Sequence, residues 1–136
     1  MKKHIALVFD LGNVLLPIDL DKTFEAFASY SNQYNAEDVK QITLDEGLWV
    51  KYESGLQSEE EFEALIVERF NLTCTSKQFQ QAFNALLLQF SQDNCTYIIQ
   101  LGLVFPIYLL SNTSRIHSNE FLDSSFPNFS LFESFN

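Results

Sequence analysis

Two rhythms of apolar and polar positions alternate along this chain. Ile5-Ala6-Leu7-Val8-Phe9 is continuously apolar and stops at Asp10. Ile107-Tyr108-Leu109-Leu110 is a second such run, opened by Pro106 and stopped by Ser111-Asn112-Thr113-Ser114. Short apolar runs rich in branched and aromatic side chains predict strands buried on both faces, as in parallel sheets. Pro106 fits the opening of a strand and not its middle. Ligands in open parallel sheets bind beyond the carboxyl ends of the strands, which is where Asp10 and Ser111 fall. Taken alone, each end has a plainer explanation. Asp10 suits a turn after a core strand, and Ser111–Ser114 are all good helix caps.

Between the two runs the period is helical. Leu20, Phe24, Phe27 and Tyr34 share one helix face, with Asp19 or Asp21 as cap. Asn35 caps a second helix with Asp38 in its first turn, Val39, Ile42 and Trp49 on its apolar side, and Gly47 interrupting or ending it. Tyr52–Leu56 reads as a turn. Ser58 with Glu61 makes a capping box before Phe62, Leu65, Ile66 and Phe70. Thr75 with Gln78 makes another before Phe79, Phe83, Leu86, Leu87 and Phe90. Residues ~19–90 therefore predict four helices with no strand between them. A short helix over Asp93–Leu101 follows, with Gly102 as its left-handed terminus. A helix around Arg115–Leu122 comes next, then an aromatic, loop-like stretch over Phe126–Asn136.

Strand, helical insertion, helix and strand make an α/β arrangement. Two doubly buried strands call for further strands and covering helices, so the chain reads as unfinished at Asn136. Unpaired edges on such strands favour aggregation or pairing with a partner.

Composition narrows the function classes. With 46% hydrophobic and 15% aromatic residues the chain is not of the disordered class. A net charge of −10 with no basic run beyond Lys2-Lys3 argues against double-stranded nucleic acid or an anionic membrane as partner. A small phosphorylated metabolite remains compatible, because local donors or a metal ion suffice to hold it. Cys74 and Cys95 are isolated thiols suited to a reducing cytosol and to inert packing. Two histidines make a His-based zinc site unpromising, with His4 expected at the surface. Asp10 breaks the only candidate signal-peptide run, and no stretch of ~18 uncharged apolar residues is present to span a bilayer. A cytoplasmic location is expected.

The sequence Phe9-Asp10-Leu11-Gly12-Asn13-Val14-Leu15-Leu16-Pro17-Ile18-Asp19, followed by Leu109–Phe121 (LLSNTSRIHSNEF), resembles the haloacid dehalogenase superfamily. The first stretch is similar to the subgroup that includes sugar-1-phosphate phosphatases. Tyr52–Phe62 (YESGLQSEEEF) is similar to part of that subgroup's helical cap. The resemblance implies a partial Rossmann-like core at 1–17 and 91–136, with an inserted four-helix cap at 18–90. It implies a Mg²⁺-dependent phosphomonoester hydrolase. Asp10 would be the nucleophile that becomes an aspartyl-phosphate, and Mg²⁺ would be held by Asp10 and the Gly12 carbonyl. Ser111 and the Asn112 N–H would bind the phosphoryl group. Trp49, Tyr52 and Glu53 are candidates for facing the substrate, although Trp49 also suits a core position and Glu53 a solvated turn. Arg115 and His117 are expected on an exposed first-turn helix face.

Three departures qualify this reading. Gly12 stands where the superfamily usually has a second aspartate serving as general acid and base, help worth ~10²–10⁴ in rate. The resembling subgroup also has glycine there, and an anomeric oxygen needs less acid assistance to leave. The third motif (a phosphate-binding Lys or Arg) and the acidic fourth motif would both lie beyond Asn136. Lys40, Lys51 and Lys77 are poor substitutes, so the 136-residue chain alone is expected to be inactive. Two rivals remain. One is a non-catalytic interaction or regulatory protein. The other is a phosphotransferase or mutase working through the same intermediate.

Overall fold

The computed structural model describes residues 5–123. The expectations for His4 and for Phe126–Asn136 lie outside these residues. The described elements run β1 (Leu7–Phe9), α1 (Leu20–Ser29), α2 (Ala36–Glu46), α3 (Val50–Glu53), α4 (Glu59–Phe70), α5 (Ser76–Asn84), α6 (Gln92–Gly102), β2 (Ile107–Leu109) and α7 (Arg115–Phe121). Contacts divide them into two compact units. One holds residues 5–18, 87–112 and 120–123, and the other holds Asp19–Leu86 with Thr113–Asn119.

In the first unit, β1 and β2 pair in parallel with Leu7, Val8 and Phe9 opposite Ile107, Tyr108 and Leu109. The Leu7 N–H donates to the Pro106 carbonyl (2.9 Å) and the Leu110 N–H to the Phe9 carbonyl (2.8 Å), extending the ladder at both ends. One sheet face packs Phe9, Ile107 and Leu109 against a cluster of Leu11, Leu15, Leu16, Phe90, Cys95, Ile98 and Phe121. The other face is open, with Val8 at 61% and Tyr108 at 59% exposure. This corrects the doubly buried expectation. The described residues supply helical and loop cover on one side only, so the pleat alternates between half-buried and exposed positions.

Most helix starts follow the caps in the sequence. Asp19 caps α1, and reciprocal boxes form at Asn35/Asp38, Ser58/Glu61 and Thr75/Gln78. Gly47 ends α2 in the left-handed region at φ 59°.

Four local expectations change. Tyr34 lies outside α1, because Ser31 reorganises the chain after Tyr30. Its hydroxyl donates to the Phe70 carbonyl (2.7 Å) and accepts from the N–H groups of Gln33 and Tyr34 (both 3.2 Å). Tyr34 still packs edge-on against Phe70. Of the expected Tyr52–Leu56 turn, Tyr52 and Glu53 instead close a short helix, α3, and the turn follows at Ser54 and Gly55, with buried Trp49 and Tyr52 drawing this segment onto the core. α5 stops at Asn84. Beyond it the Leu86 N–H donates to the Thr23 hydroxyl (3.2 Å), and that hydroxyl donates to the Phe83 carbonyl (3.0 Å). Gly102 remains helical. The Val104 and Phe105 N–H groups both close onto the Leu101 carbonyl, so the helix end needs no left-handed residue.

The core of the helical unit is aromatic. Phe83 contacts the rings of Phe27, Trp49, Tyr52, Phe62, Phe79 and His117 at centroid distances of 4.3–6.4 Å. His117 is thus not on an exposed helix face. Its ring stacks on Phe83 at 4.3 Å, and Nδ1 lies 2.8 Å from Asn84 Oδ1. Burial lowers its pKa to about 4 from 6.5. Because the folded value is depressed, its contribution is fully present above pH 6.5 and is lost as pH falls toward about 4. Between those values the unfolded chain takes a proton that the folded one refuses. Over that window we expect a loss of about 3 kcal/mol from this group. Urea unfolding across pH should show this slope in the native protein and a shallower one in His117→Gln. Equal slopes would refute it.

Candidate functional site

The turn that follows β1 is built to hold Asp10 in one place. Asp10 Oδ1 accepts the Leu11 N–H at 2.7 Å, which pins one carboxylate oxygen to the backbone. The N–H groups of Val14, Leu15 and Leu16 converge on the Leu11 carbonyl, and the Asn13 N–H donates to the Leu16 carbonyl (2.9 Å). Asn13 takes φ 56°, a left-handed value that asparagine tolerates, and its Oδ1 accepts the Ile18 N–H at 3.0 Å. A Cβ at Gly12 would stand 3.1 Å from Ile18 Cδ1, so this turn leaves little room for a larger residue there. The cap of α6 ties down the rest: the Ser91 N–H donates to the Leu15 carbonyl and Asn94 Nδ2 to the Val14 carbonyl, both at 2.6 Å.

Parallel register then decides which residues meet. Phe9 and Leu109 are partners, so Asp10 and Ser111 leave the same edge of the sheet, one and two residues past that pair. Asp10 is exposed, Ser111 is half-buried and Asn112 is exposed. The result is an exposed carboxylate and a half-buried hydroxyl at one edge of the sheet. Among the described residues no three or more His, Cys, Asp or Glu gather in a metal-binding group.

The helical unit holds a separate feature, a cavity of about 390 Å³ between the α3–α4 turn and the start of α7. Tyr52 and Glu53 line it, and so do Gln57, Glu59, Ser114 and Arg115. Trp49 is packed in the aromatic core, stacked on Phe24 at 5.3 Å. Burial pushes the Tyr52 phenol and the Glu53 carboxyl above their usual ranges. Sequence reading missed Gln57 and Glu59. Glu59 carries an acidic signal shared by every first-turn helix residue around it, and nothing in the pattern separates it from Glu60 or Glu61. Burial raises the thiols of Cys95 and Cys74, which suits packing and not nucleophilic chemistry.

No family model matches the chain. A D-ribitol-5-phosphate phosphatase of Bacteroides thetaiotaomicron is 28% identical over 108 residues, covering 79% of this chain and 52% of that protein. A crystal structure of a HAD (haloacid dehalogenase) family enzyme from the same bacterium is 30% identical with a TM-score of 0.71, covering 92% of this chain and 64% of the other. The same enzyme crystallised with magnesium and inorganic phosphate gives a TM-score of 0.72 over 98% of this chain and 66% of that one. A predicted HAD-like family hydrolase of Porphyromonas gingivalis is 27% identical with a TM-score of 0.70, over 94% of this chain and 63% of its own. The chain thus spans about half the length of the curated relative that it matches. The chain is thus similar in sequence and in α/β fold to HAD family enzymes over nearly its whole length, with the Asp10 turn and the Ser111 strand end at one edge of its parallel pair.

Proposed function

We propose that this protein is a Mg²⁺-dependent phosphomonoester hydrolase acting on sugar or sugar-alcohol phosphates. The observation that carries the reading is the parallel register that delivers Asp10 and Ser111 to one sheet edge. The relatives described as a phosphatase and as a magnesium and phosphate complex support it.

An Asp10 carboxylate oxygen attacks phosphorus, the phosphorus–oxygen bond to the sugar breaks, and the departing oxygen takes a proton from solvent. Water then attacks the aspartyl-phosphate, releasing inorganic phosphate and restoring the carboxylate. Splitting one displacement into two gives each an easier path. The Ser111 hydroxyl and the Asn112 N–H donate to the phosphoryl oxygens, holding the group where positioning and charge matter most.

The donor set fits magnesium in kind. Asp10 offers a carboxylate and Gly12 a carbonyl, both hard oxygens, and Mg²⁺ ordinarily keeps several of its ~6 positions for water. When bound, the ion neutralises charge on the phosphoryl oxygens. Gly12 supplies no acid, so the leaving oxygen departs without a positioned proton donor from that residue. An anomeric oxygen tolerates this best. The ester in D-ribitol 5-phosphate has a primary alcohol instead, so both kinds of substrate belong in the trial.

The product of the whole gene should release phosphate from glucose 1-phosphate or D-ribitol 5-phosphate, and the 136-residue chain alone should not. Chelation with EDTA should stop the release, and added Mg²⁺ should restore it. Acid quenching should trap radiolabelled phosphate on the protein in a form that hydroxylamine removes. Metal-independent release, or turnover with no trapped label, would sink the reading.

A further inference from the structure

We infer that His117 is a positioning residue for the loop that holds the phosphoryl group: bonded to Asn84 and seated on Phe83, it fixes the first turn of α7 and, through that turn, the Ser111 hydroxyl and the Asn112 N–H. The reaction that this loop serves rests on the phosphatase reading. The anchor does not, because Phe83, Asn84 and His117 all lie in the helical unit.

The loop does not order itself. Among the described residues, Ser111 and Asn112 make no hydrogen bond within the protein, and the contact of Thr113 Oγ1 with the Ser114 carbonyl is long at 3.4 Å. Its shape is therefore set from its two ends. At one end the Leu110 N–H donates to the Phe9 carbonyl (2.8 Å). At the other end Ser114 caps α7. Its hydroxyl accepts the His117 N–H (3.3 Å) and its carbonyl accepts the Ser118 N–H (2.9 Å). Only Ser111, Asn112 and Thr113 join these ends, and consecutive Cα atoms keep a fixed spacing of ~3.8 Å. A shift of α7 by about an ångström must pass into so short a loop.

Two neighbouring residues hold the first turn of α7. Ile116 is 5% exposed and joins the aromatic core, an apolar contact with no preferred direction. His117 adds direction. Its ring stacks on Phe83 at 4.3 Å with 25° between the planes, and Nδ1 lies 2.8 Å from Asn84 Oδ1. With an amide oxygen as acceptor, Nδ1 carries the hydrogen. A hydrogen bond weakens steeply away from its preferred angle, so this one fixes the rotation of the ring and with it the roll of α7. His117→Phe keeps the stack and loses that bond. His117→Asn puts an amide N–H near the place of Nδ1–H, and so keeps the bond without the stack.

The two variants separate positioning from stability in the product of the whole gene. His117→Asn should unfold at the lower urea concentration, yet keep most of the native kcat for phosphate release. His117→Phe should unfold at the higher concentration, yet lose roughly 10–10²-fold in kcat with KM little changed, the scale of misplacing a reacting group by about an ångström. A histidine that served stability alone would make activity follow the unfolding midpoint. His117→Asn would then be the slower enzyme, and that order, or equal kcat in the two variants, overturns the proposal. Amide NMR without substrate gives a second readout. The Asn112 and Thr113 signals should stay single in the native protein and in His117→Asn, and should broaden or double in His117→Phe. Unaltered loop signals in His117→Phe also overturn the proposal. A native protein that releases no phosphate sinks the phosphatase reading, and the loop signals still decide the anchor.

Discussion

Replacing Phe83 by alanine should lower the stability of the helical unit by about 3–5 kcal/mol, the range for a buried Phe whose site cannot collapse. The ring is 1% exposed and touches Phe27, Trp49, Tyr52, Phe62, Phe79 and His117. Four different helices, α1, α3, α4 and α7, reach it from outside its own α5, so no single neighbour can move in to fill the void. The aromatic geometry adds to the loss, since offset and edge-on ring pairs contribute ~0.5–1.5 kcal/mol beyond area burial. The chain offers its own reporter: Trp49 is the sole tryptophan, and its ring lies 5.4 Å from that of Phe83. Urea unfolding followed by tryptophan emission should show the midpoint fall sharply in Phe83→Ala and much less in Phe83→Leu. A loss below about 1 kcal/mol would mean that the cluster repacks freely, which close-packed interiors rarely do.

The second large effect is on chemistry. Asp10→Asn should remove phosphate release by well over about 10⁴-fold, since losing a nucleophile in other covalent enzymes costs up to roughly 10⁶. The amide keeps an oxygen where Asp10 Oδ1 accepts the Leu11 N–H, so the turn should hold and the unfolding midpoint should hardly change. Folded protein without activity and without trapped phosphate is the expected pair of results. Residual turnover within tenfold of the native protein would mean that the carboxylate is not the attacking group.

Much of this was legible in the sequence because caps and periods are local. Ser58 with Glu61 and Thr75 with Gln78 specify their helix starts through side chains three residues apart, and both boxes form. The strand ends were legible too, because a run of branched and aromatic residues halted by a polar one marks a place whatever lies beside it. What failed was what depends on distant partners. Tyr34 has helical spacing, but Ser31 finds the Phe70 carbonyl 39 residues away and the helix stops short. His117 sits among polar residues in its own stretch, and only the fold brings Phe83 beneath it. The cavity was half legible: Tyr52 and Glu53 stand next to each other, whereas Arg115 meets Glu59 only because α7 returns to α4 from 56 residues further on.

The pairing of Leu7 with Ile107 sets an order of events during synthesis. At about 5–20 residues per second, β1 emerges from the ribosome roughly 5–20 s before its partner exists. Helices α1 to α5 are made in that interval, with contacts close in sequence, and such contacts form in microseconds to milliseconds. Ile5–Phe9 must therefore wait as an unpaired apolar strand while the segment after it is already folded. Slower translation after Asn84 would lengthen that wait and should increase chaperone capture of the nascent chain, with no change in the finished protein.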